Sequence, residues 1–172
     1  GTLINLLLNQ PLPHGSIGDI LDIGTGTGSM LRLLAGRARR IVAVEISREM
    51  RLIARTAVLG EGLANCAVQE GNMYALNFPT GAFDMVTMDR VLGTATEPLQ
   101  ALKEGSRVLK RGGFLLIVET TGSTVRKADL NLWIRQAALS PVEISQTGKN
   151  ITLIALSRNP TTNHTKAVLS NE

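Results

Sequence analysis

The stretch of sequence that decides the fold reads Leu21-Asp22-Ile23-Gly24-Thr25-Gly26-Thr27-Gly28. Its first three residues end a segment at 17–23 that predicts a buried strand, and its glycines precede a helical pattern at 30–35. Glycine lets the backbone turn sharply and approach a ligand without a Cβ clash. The first N–H groups of the helix that follows can then meet a negative group. The stretch therefore predicts a ligand-binding turn between a strand and a helix.

The glycine spacing excludes two common nucleotide-binding loops. A dinucleotide site needs G-x-G-x-x-G, but here Gly28 follows Gly26 by two residues and Ser29 comes next. A phosphate-binding P-loop needs Gly-Lys-Ser/Thr, which this stretch lacks. Two alternatives remain at this point: a plain glycine turn, or a loop that binds a different cofactor.

Strand-like and helix-like segments alternate along the rest of the chain. Apolar runs predict strands at 41–44, 64–70, 83–88 and 114–119. Helical patterns occur at 2–9, after Ser47, at 98–110 and at 128–139, and Gly148-Lys149 predicts a hairpin between 142–146 and 151–157. This order predicts an α/β fold with a doubly wound, mainly parallel sheet and an antiparallel hairpin at one edge.

The helix after Ser47 is amphipathic. Ser47 is a favourable N-cap, and Glu49 suits the positive end of the helix. The apolar residues on one face are Met50, Ile53, Ala54, Ala57 and Val58. The opposite face carries Arg48, Arg51 and Arg55, which we predict to face solvent.

Length and composition restrict the class of protein. The 172 residues predict one domain, which we place at 1–158, followed by a polar, frayed tail at 159–172. The net charge of +4 permits contact with nucleic acid without implying it, and a solvated arginine-rich surface is the simpler interpretation. One cysteine and two histidines exclude a disulfide framework and predict no metal site. With no leader pattern and no apolar run of ~18 residues, we expect a cytoplasmic protein without a membrane segment.

A carboxylate follows the second predicted strand. Glu45 lies 21 residues after Gly24. A strand-end carboxylate at this distance from a glycine loop can accept two hydrogen bonds from a ribose diol. Glu45 therefore favours a nucleoside-containing cofactor over a plain glycine turn.

Four segments in this order resemble the class I S-adenosylmethionine-dependent methyltransferases. The D-x-G-x-G-x-G stretch resembles motif I of that family, and 71–79 resembles its adenine-contacting G-D-x-x-x-L-P-F loop, with Asn72 where Asp is usual. Residues 82–86 and 109–115 resemble the fourth strand and the L-K-P-G-G turn, with Arg111 in place of proline. The likeness spans about 20–119 and implies a Rossmann-like methyltransferase sheet, S-adenosyl-L-methionine (SAM) as cofactor and S-adenosyl-L-homocysteine (SAH) as product.

The resemblance also assigns residues to the cofactor. It implies that the methionine carboxylate lies near the glycine loop, the ribose at Glu45, and the adenine between Ile46 and Asn72-Met73. Asn72 keeps a carbonyl oxygen that can accept from the adenine amine, but it lacks the charge of Asp. The residues assigned in this way are Asp22, Gly24, Thr25, Gly26, Gly28, Glu45, Ile46, Met50, Asn72, Met73 and Asp89.

The segment after the fourth strand, Met88-Asp89-Arg90, faces the acceptor in this family. Asp89 is the candidate catalytic residue, since it can orient an acceptor proton or act as a base. The alternative is a strand-end carboxylate paired with Arg90. The sequence has no Asn-Pro-Pro-Tyr run and no Pro-Cys nucleophile, which is unfavourable for methylation of adenine, glutamine or cytosine C5. We therefore expect a small-molecule acceptor.

A narrower likeness suggests a second function. A methyltransferase-like domain that is fused behind an ArsR-type winged-helix repressor domain in some bacterial proteins is similar to this chain in three places. They are residues 72–76, residues 47–50 and the apolar helical pattern at 2–9. That likeness would place any nucleic-acid contact in a domain upstream of these residues. The alternative function is then a module that senses SAM or SAH for a transcriptional regulator. The oligomeric state is not predicted.

Overall fold

The computed structural model describes residues 16–120 and 125–157 and places them in one seven-stranded sheet flanked by helices. The strands are β1 (Asp19–Ile23), β2 (Arg40–Glu45), β3 (Cys66–Glu70), β4 (Phe83–Asp89), β5 (Leu109–Thr120), β6 (Leu139–Thr147) and β7 (Asn150–Ser157). The α-helices in this part are α1 (Ser29–Leu34), α2 (Arg48–Gly60), α3 (Pro98–Val108) and α4 (Lys127–Gln136), and a 3-10 helix (Ala35–Arg37) follows α1. The expected helix at 2–9 and the polar tail at 159–172 lie outside the described residues.

The strand order across the sheet is β3-β2-β1-β4-β5-β7-β6. Neighbouring strands from β3 to β5 are parallel, whereas β7 pairs antiparallel with both β5 and β6. Because β1 lies between β2 and β4, the strand order reverses there, and ligands of such sheets bind outside the carboxyl ends at this point. The predicted α/β fold, with a mainly parallel sheet and an antiparallel edge hairpin, is confirmed.

Alternating side chains of the strands form two cores, one on each face of the sheet. Leu21 and Ile23 of β1 belong to the core that includes α3 and α4, while Ile20 belongs to the core that includes α1. Every residue of β1 is buried, including Asp19 and Asp22, and burial on both faces explains why the other three are Ile20, Leu21 and Ile23. Since a fully buried Leu or Ile contributes about 1.5–3 kcal/mol, the central strands form a rigid base for the loops at their ends.

The two faces of helix α2 differ from the sequence prediction. Arg51, predicted to face solvent, is 8% exposed, whereas Ile53 on the apolar face is 49% exposed. The Arg51 guanidinium donates to the backbone oxygens of Glu45 and Ile46 at 2.9 and 2.8 Å, and it pairs with Glu70 at 2.9 Å. These contacts with carbonyl oxygens at the end of β2 and with Glu70 hold the Arg51 side chain against the sheet, and the prediction for Arg51 was wrong.

Two boundaries near the predicted Gly112-Gly113 turn also differ. Helix α3 ends at Val108 rather than near Lys110, because β5 begins immediately after it. Gly112 has a φ of +72°, so the expected turn forms an irregular start to a long strand. The hairpin of β6 and β7 turns at Gly148, whose φ is +58°, as predicted.

Within the described ranges, no helix combines the length and apolar character that crossing a membrane requires.

Candidate functional site

The loop after β1 turns through three glycines with positive φ, namely Gly24 (+69°), Gly26 (+55°) and Gly28 (+89°). The N–H of Gly24 donates to the carbonyl oxygen of Val44 in β2 at 2.8 Å. A Cβ on Gly24 would lie 2.7 Å from a methyl group of Val91, whereas a Cβ on Gly26 would meet no atom within 4 Å. Packing therefore requires glycine at position 24, and the space over Gly26 is open to a ligand.

Asp22 lies beneath this loop and is 1% exposed. Its Oδ1 accepts a hydrogen bond from the hydroxyl of Thr87 in β4 at 2.6 Å. Burial raises the pKa of Asp22 to about 6, although the hydroxyls of Thr25 and Thr87 oppose the shift, and the charges of Asp89 and Glu45 add to it. The floor of the site is therefore formed by a carboxyl group, Asp22, that titrates at weakly acidic pH.

Glu45 ends β2 and uses both of its carboxylate oxygens. Oε2 accepts from the N–H of Gly26 at 3.0 Å, and Oε1 accepts from the N–H of Ser47 at 2.9 Å. The hydroxyl oxygen of Ser47 accepts from the N–H of Met50 at 3.3 Å, so Ser47 is the N-cap of α2 as predicted. A carboxylate has about four lone-pair positions, so Glu45 can accept further hydrogen bonds from a ligand.

The third loop, residues 71–82, follows β3. The Asn72 Oδ1 accepts from the N–H of Tyr74 at 2.9 Å, which makes an Asx turn. The Tyr74 hydroxyl accepts from the N–H of Thr96 at 2.8 Å and lies 3.1 Å from the Thr96 hydroxyl. Tyr74 therefore connects the loop after β3 to the segment after β4.

These loops enclose a cleft of about 620 Å³ at the carboxyl ends of β1 to β4. Nine of the residues that the sequence assigned to the cofactor line it, namely Gly24, Thr25, Gly26, Glu45, Ile46, Met50, Asn72, Met73 and Asp89. Asp22 does not line the cleft because it is buried below the loop. Gly28 is the N-cap residue that precedes α1, where a Cβ would contact Leu31 and Ala54 at 3.5 and 3.6 Å. Cofactor contact by the lining residues stays a prediction.

The cleft includes further residues that sequence reasoning missed. They are Thr27, Ser29, Val44, Gly71, Tyr74, Arg90, Val91 and Thr94. Each lies close in sequence to an assigned residue, in a segment that ends or follows a strand. Their position at a strand end is therefore the sequence feature that could have predicted them. Residue type alone gives little indication, because most of these side chains are small, apolar or hydroxylated.

Another part of the cleft is built around the end of β4. The Arg90 guanidinium donates to both oxygens of Asp89, at 3.0 and 2.8 Å, as the paired-carboxylate alternative predicted. Arg90 has a φ of +56°, which is uncommon for a residue other than glycine.

Glu119 is buried near the end of β5. Its Oε1 accepts from the N–H groups of Leu92 and Gly93 at 2.7 and 3.3 Å, and burial raises the pKa of Glu119.

The site can hold a ligand with separate polar and apolar parts. Glu45 offers a fixed acceptor for hydroxyl groups, and Ile46 and Met50, 67% and 41% exposed, offer apolar surface beside it. Among residues 16–120 and 125–157, no three His, Cys, Asp or Glu side chains come close enough together to hold a metal ion. The groups available for chemistry in the cleft are therefore carboxylates, hydroxyls, an amide and a guanidinium.

Comparison with known proteins identifies the family. Residues 21–117, more than half of the chain, match the family model described as "Methyltransferase domain". The ubiquinone/menaquinone biosynthesis C-methyltransferase UbiE of Hahella chejuensis is 35% identical over 109 residues, which are 61% of this chain and 44% of that protein. A demethylmenaquinone methyltransferase of Lactococcus lactis is 35% identical over 109 residues, 62% of this chain and 43% of that protein. The chain thus spans less than half the length of these relatives.

A solved structure shares the fold. A putative methyltransferase from Bacillus halodurans aligns with a TM-score of 0.80 at 18% identity and covers 94% of this chain and 100% of that chain. This likeness confirms the Rossmann-like methyltransferase sheet, and the family match confirms the resemblance to class I methyltransferases. The chain belongs to the methyltransferase domain family, as an S-adenosyl-L-methionine-dependent methyltransferase domain.

Proposed function

We propose that this chain transfers the methyl group of SAM to a small-molecule acceptor bound beside Asp89. The observation that carries the proposal is the cleft where the loops after β1, β2, β3 and β4 meet. It brings an open glycine loop, the anchored carboxylate of Glu45 and the end of β4 into one space of about 620 Å³. That volume is in the range of pockets that hold small ligands.

The nucleoside part of the cofactor fits the side of the cleft formed by β2 and β3. Glu45 would accept hydrogen bonds from the ribose diol with its remaining lone pairs. Ile46, Met50 and Met73 would pack against the adenine, and Asn72 would meet its polar edge. The proposal is supported by the position of all five residues on the lining of one cleft.

The methionine part fits the glycine loop. The space over Gly26 holds no protein atom within 4 Å of a Cβ built there. Thr25 lines the cleft, and Asp22 lies directly beneath the loop. A carboxyl group below the loop would favour the ammonium group of the methionine part over an anion in the same place.

In the reaction, the residues of the chain mainly align the reactants and exclude water. The bound cofactor supplies an electrophilic methyl group on a sulfonium. Because Arg90 donates to both oxygens of Asp89, we assign Asp89 an orienting role, in which it accepts a hydrogen bond from an acceptor hydroxyl or N–H. Glu119 keeps the segment at Leu92 in position through the backbone.

A small-molecule acceptor fits the charge distribution better than nucleic acid. The guanidinium groups of Arg39 and Arg40 both pair with Asp19, at 2.9 and 3.0 Å. This pairing reduces the positive charge of the most basic segment of the chain. The relatives are named for methylation at carbon in quinone biosynthesis, which makes a quinone-like ring one member of the acceptor class to be tested.

The likeness to ArsR-type fusion proteins receives no support from the relatives described above. We therefore propose an enzyme rather than a sensing module, with no nucleic-acid partner for these residues. We propose the cytoplasm as its compartment, since a lone cysteine requires no oxidising environment.

The test has two parts. Calorimetry should detect binding of SAM and SAH in buffer containing a metal chelator. Incubation with SAM and a panel of quinols, phenols and amines, followed by mass spectrometry, should then detect a methylated product. The absence of binding would contradict the cofactor assignment, whereas binding without any product across the panel and a cell extract would contradict the transfer proposal.

A further inference from the structure

The loop that carries Asn72 and Met73 lacks support of its own. It runs for twelve residues between β3 and β4 without a helix or strand, apart from one isolated bridge between Asn72 and Ala75. A segment of this kind is held by its contacts with neighbouring elements. The contacts that hold this loop therefore decide whether its two cleft residues are in place before a ligand arrives.

An ion pair on α3 holds the backbone of Leu76 from both sides. The Glu104 Oε2 accepts from the Leu76 N–H at 2.7 Å, and the Arg107 Nη2 donates to the Leu76 carbonyl oxygen at 2.9 Å. The Arg107 Nη1 also donates to the carbonyl oxygen of Phe78 at 2.8 Å. Both polar backbone groups of one loop residue are thus bound by two side chains three positions apart on one helix.

The pair itself is well defined. The Arg107 Nε donates to Glu104 Oε1 at 2.7 Å, and Nη2 also donates to Oε2 at 2.9 Å. The side chain of Glu104 is 13% exposed, so water competes weakly for it. Arg107 holds the pKa of Glu104 below its ordinary value. The carboxylate therefore stays charged, and charge-assisted hydrogen bonds to the loop are stronger than neutral ones.

We propose that Glu104 and Arg107 are positioning residues for the cofactor, because they fix the loop on which Asn72 and Met73 line the cleft. The proposal rests on the proposed function, since it concerns the same cleft. An ordinary ion pair within a helix would need no third partner, whereas Nη1 and Nη2 of Arg107 also donate to the carbonyl oxygens of Phe78 and Leu76 in the loop. Neither residue contacts the cleft directly, so each acts through the backbone of Leu76 and Phe78.

The experiment compares Arg107→Met and Glu104→Gln with Arg126→Met. The last variant breaks another Arg–carboxylate pair with i,i+3 spacing, to Asp129 on α4. Calorimetry with SAH should give a dissociation constant at least about tenfold higher for Arg107→Met. It should rise less for Glu104→Gln, which keeps an oxygen for the Leu76 N–H, and stay unchanged for Arg126→Met. Should Arg107→Met fail to fold, Arg107→Lys takes its place, because an ammonium keeps the charge but lacks the planar fork with which the guanidinium binds both carbonyl groups.

Hydrogen exchange of the ligand-free protein gives a readout that general destabilisation does not move. Amides at 72–76 should exchange faster in Arg107→Met and Glu104→Gln, while amides of β1 and β4 keep their wild-type rates. Equal SAH affinity in wild type and variants would overturn this proposal alone. Faster exchange everywhere, in step with a lower melting temperature, would also overturn it. A wild-type protein that binds neither SAM nor SAH would overturn the proposed function and this proposal together.

Discussion

The carboxylate of Glu45 accepts a hydrogen bond from the backbone N–H of Gly26, 3.0 Å away, although the two residues lie 19 positions apart. They meet because β1 and β2 are parallel neighbours, with Ile23 opposite Val44 near their carboxyl ends. The contact fixes a negative group beside an open glycine loop in the absence of a ligand. Such preorganisation lowers the entropic cost of binding, because the carboxylate need not be ordered by the cofactor.

Replacing Glu45 by alanine should weaken the binding of SAH by about ten- to a hundredfold, since a hydrogen bond to a charged group contributes roughly 1.5–3 kcal/mol. Glu45→Gln should lose less, because it keeps one oxygen acceptor. Calorimetry measures both constants, and Glu61→Ala, which removes an exposed carboxylate paired with Arg32, is the control. Unchanged affinity in a folded Glu45→Ala protein would remove Glu45 from the cofactor site.

A methyl group at position 26 should block binding without unfolding the chain. Gly26 and Gly62 have φ values of +55° and +64°, and a Cβ at either position would meet no atom within 4 Å. Gly26→Ala and Gly62→Ala should therefore incur a similar strain of about 1–2 kcal/mol and show similar decreases in melting temperature. Only Gly26→Ala should lose affinity for SAH, because only Gly26 lines the cleft. Equal affinities in the two variants would mean that the cofactor does not approach the glycine loop.

The sheet and most of the cleft follow from local sequence signals. Three of the five residues of β1, Ile20, Leu21 and Ile23, are apolar because the strand is buried on both faces, and this pattern is readable without a structure. Glycines with positive φ mark the loop at 24–28 and the hairpin turn at Gly148. Since parallel strands end at the same edge, the segments after them had to meet, and Glu45 and Asn72 could be assigned to one site.

The errors and omissions arise where contacts are tertiary. Arg51 occupies the polar side of the helical pattern, and its tertiary contacts with Glu70 and the carbonyl oxygens of Glu45 and Ile46 explain why it is buried. The hydrogen bond from Thr96 to Tyr74 joins residues 22 positions apart, with no motif at either end. The left-handed conformation of Arg90 is likewise invisible in a sequence, because glycine or asparagine would be the usual signal.

Replacing Asn72 by aspartate should preserve the site. The Oδ1 of Asn72 accepts from the Tyr74 N–H, and a carboxylate oxygen can make the same bond. Because a charged acceptor forms a stronger hydrogen bond with the adenine amine, the affinity for SAH should be equal or up to about tenfold tighter. Calorimetry decides. A loss of more than about tenfold would mean that the Asn72 amide donates a hydrogen bond, and that the assumed orientation of the adenine is wrong.

Asp22 should make the stability of the protein depend on pH in an unusual direction. Burial raises its pKa from 3.8 to about 6. Between these values the folded protein holds a proton that the unfolded chain has lost, so stability decreases as the pH rises. The stabilisation that the proton on Asp22 gives to the folded state is fully present below about pH 4 and is lost as the pH rises through about 6. It amounts to about 3 kcal/mol, because each unit of pKa difference between the folded and unfolded states corresponds to about 1.4 kcal/mol.

The variant Asp22→Asn isolates this effect, because the amide does not titrate and its oxygen can still accept from Thr87. Urea unfolding of both proteins from pH 4 to 7 should show the free energy of unfolding of the variant rising by about 3 kcal/mol relative to wild type. Asp129→Asn is the control of opposite sign, since Arg126 lowers the pKa of Asp129. A constant difference between Asp22→Asn and wild type would show that Asp22 is already ionised throughout this range, and that the base of the cofactor loop is permanently charged.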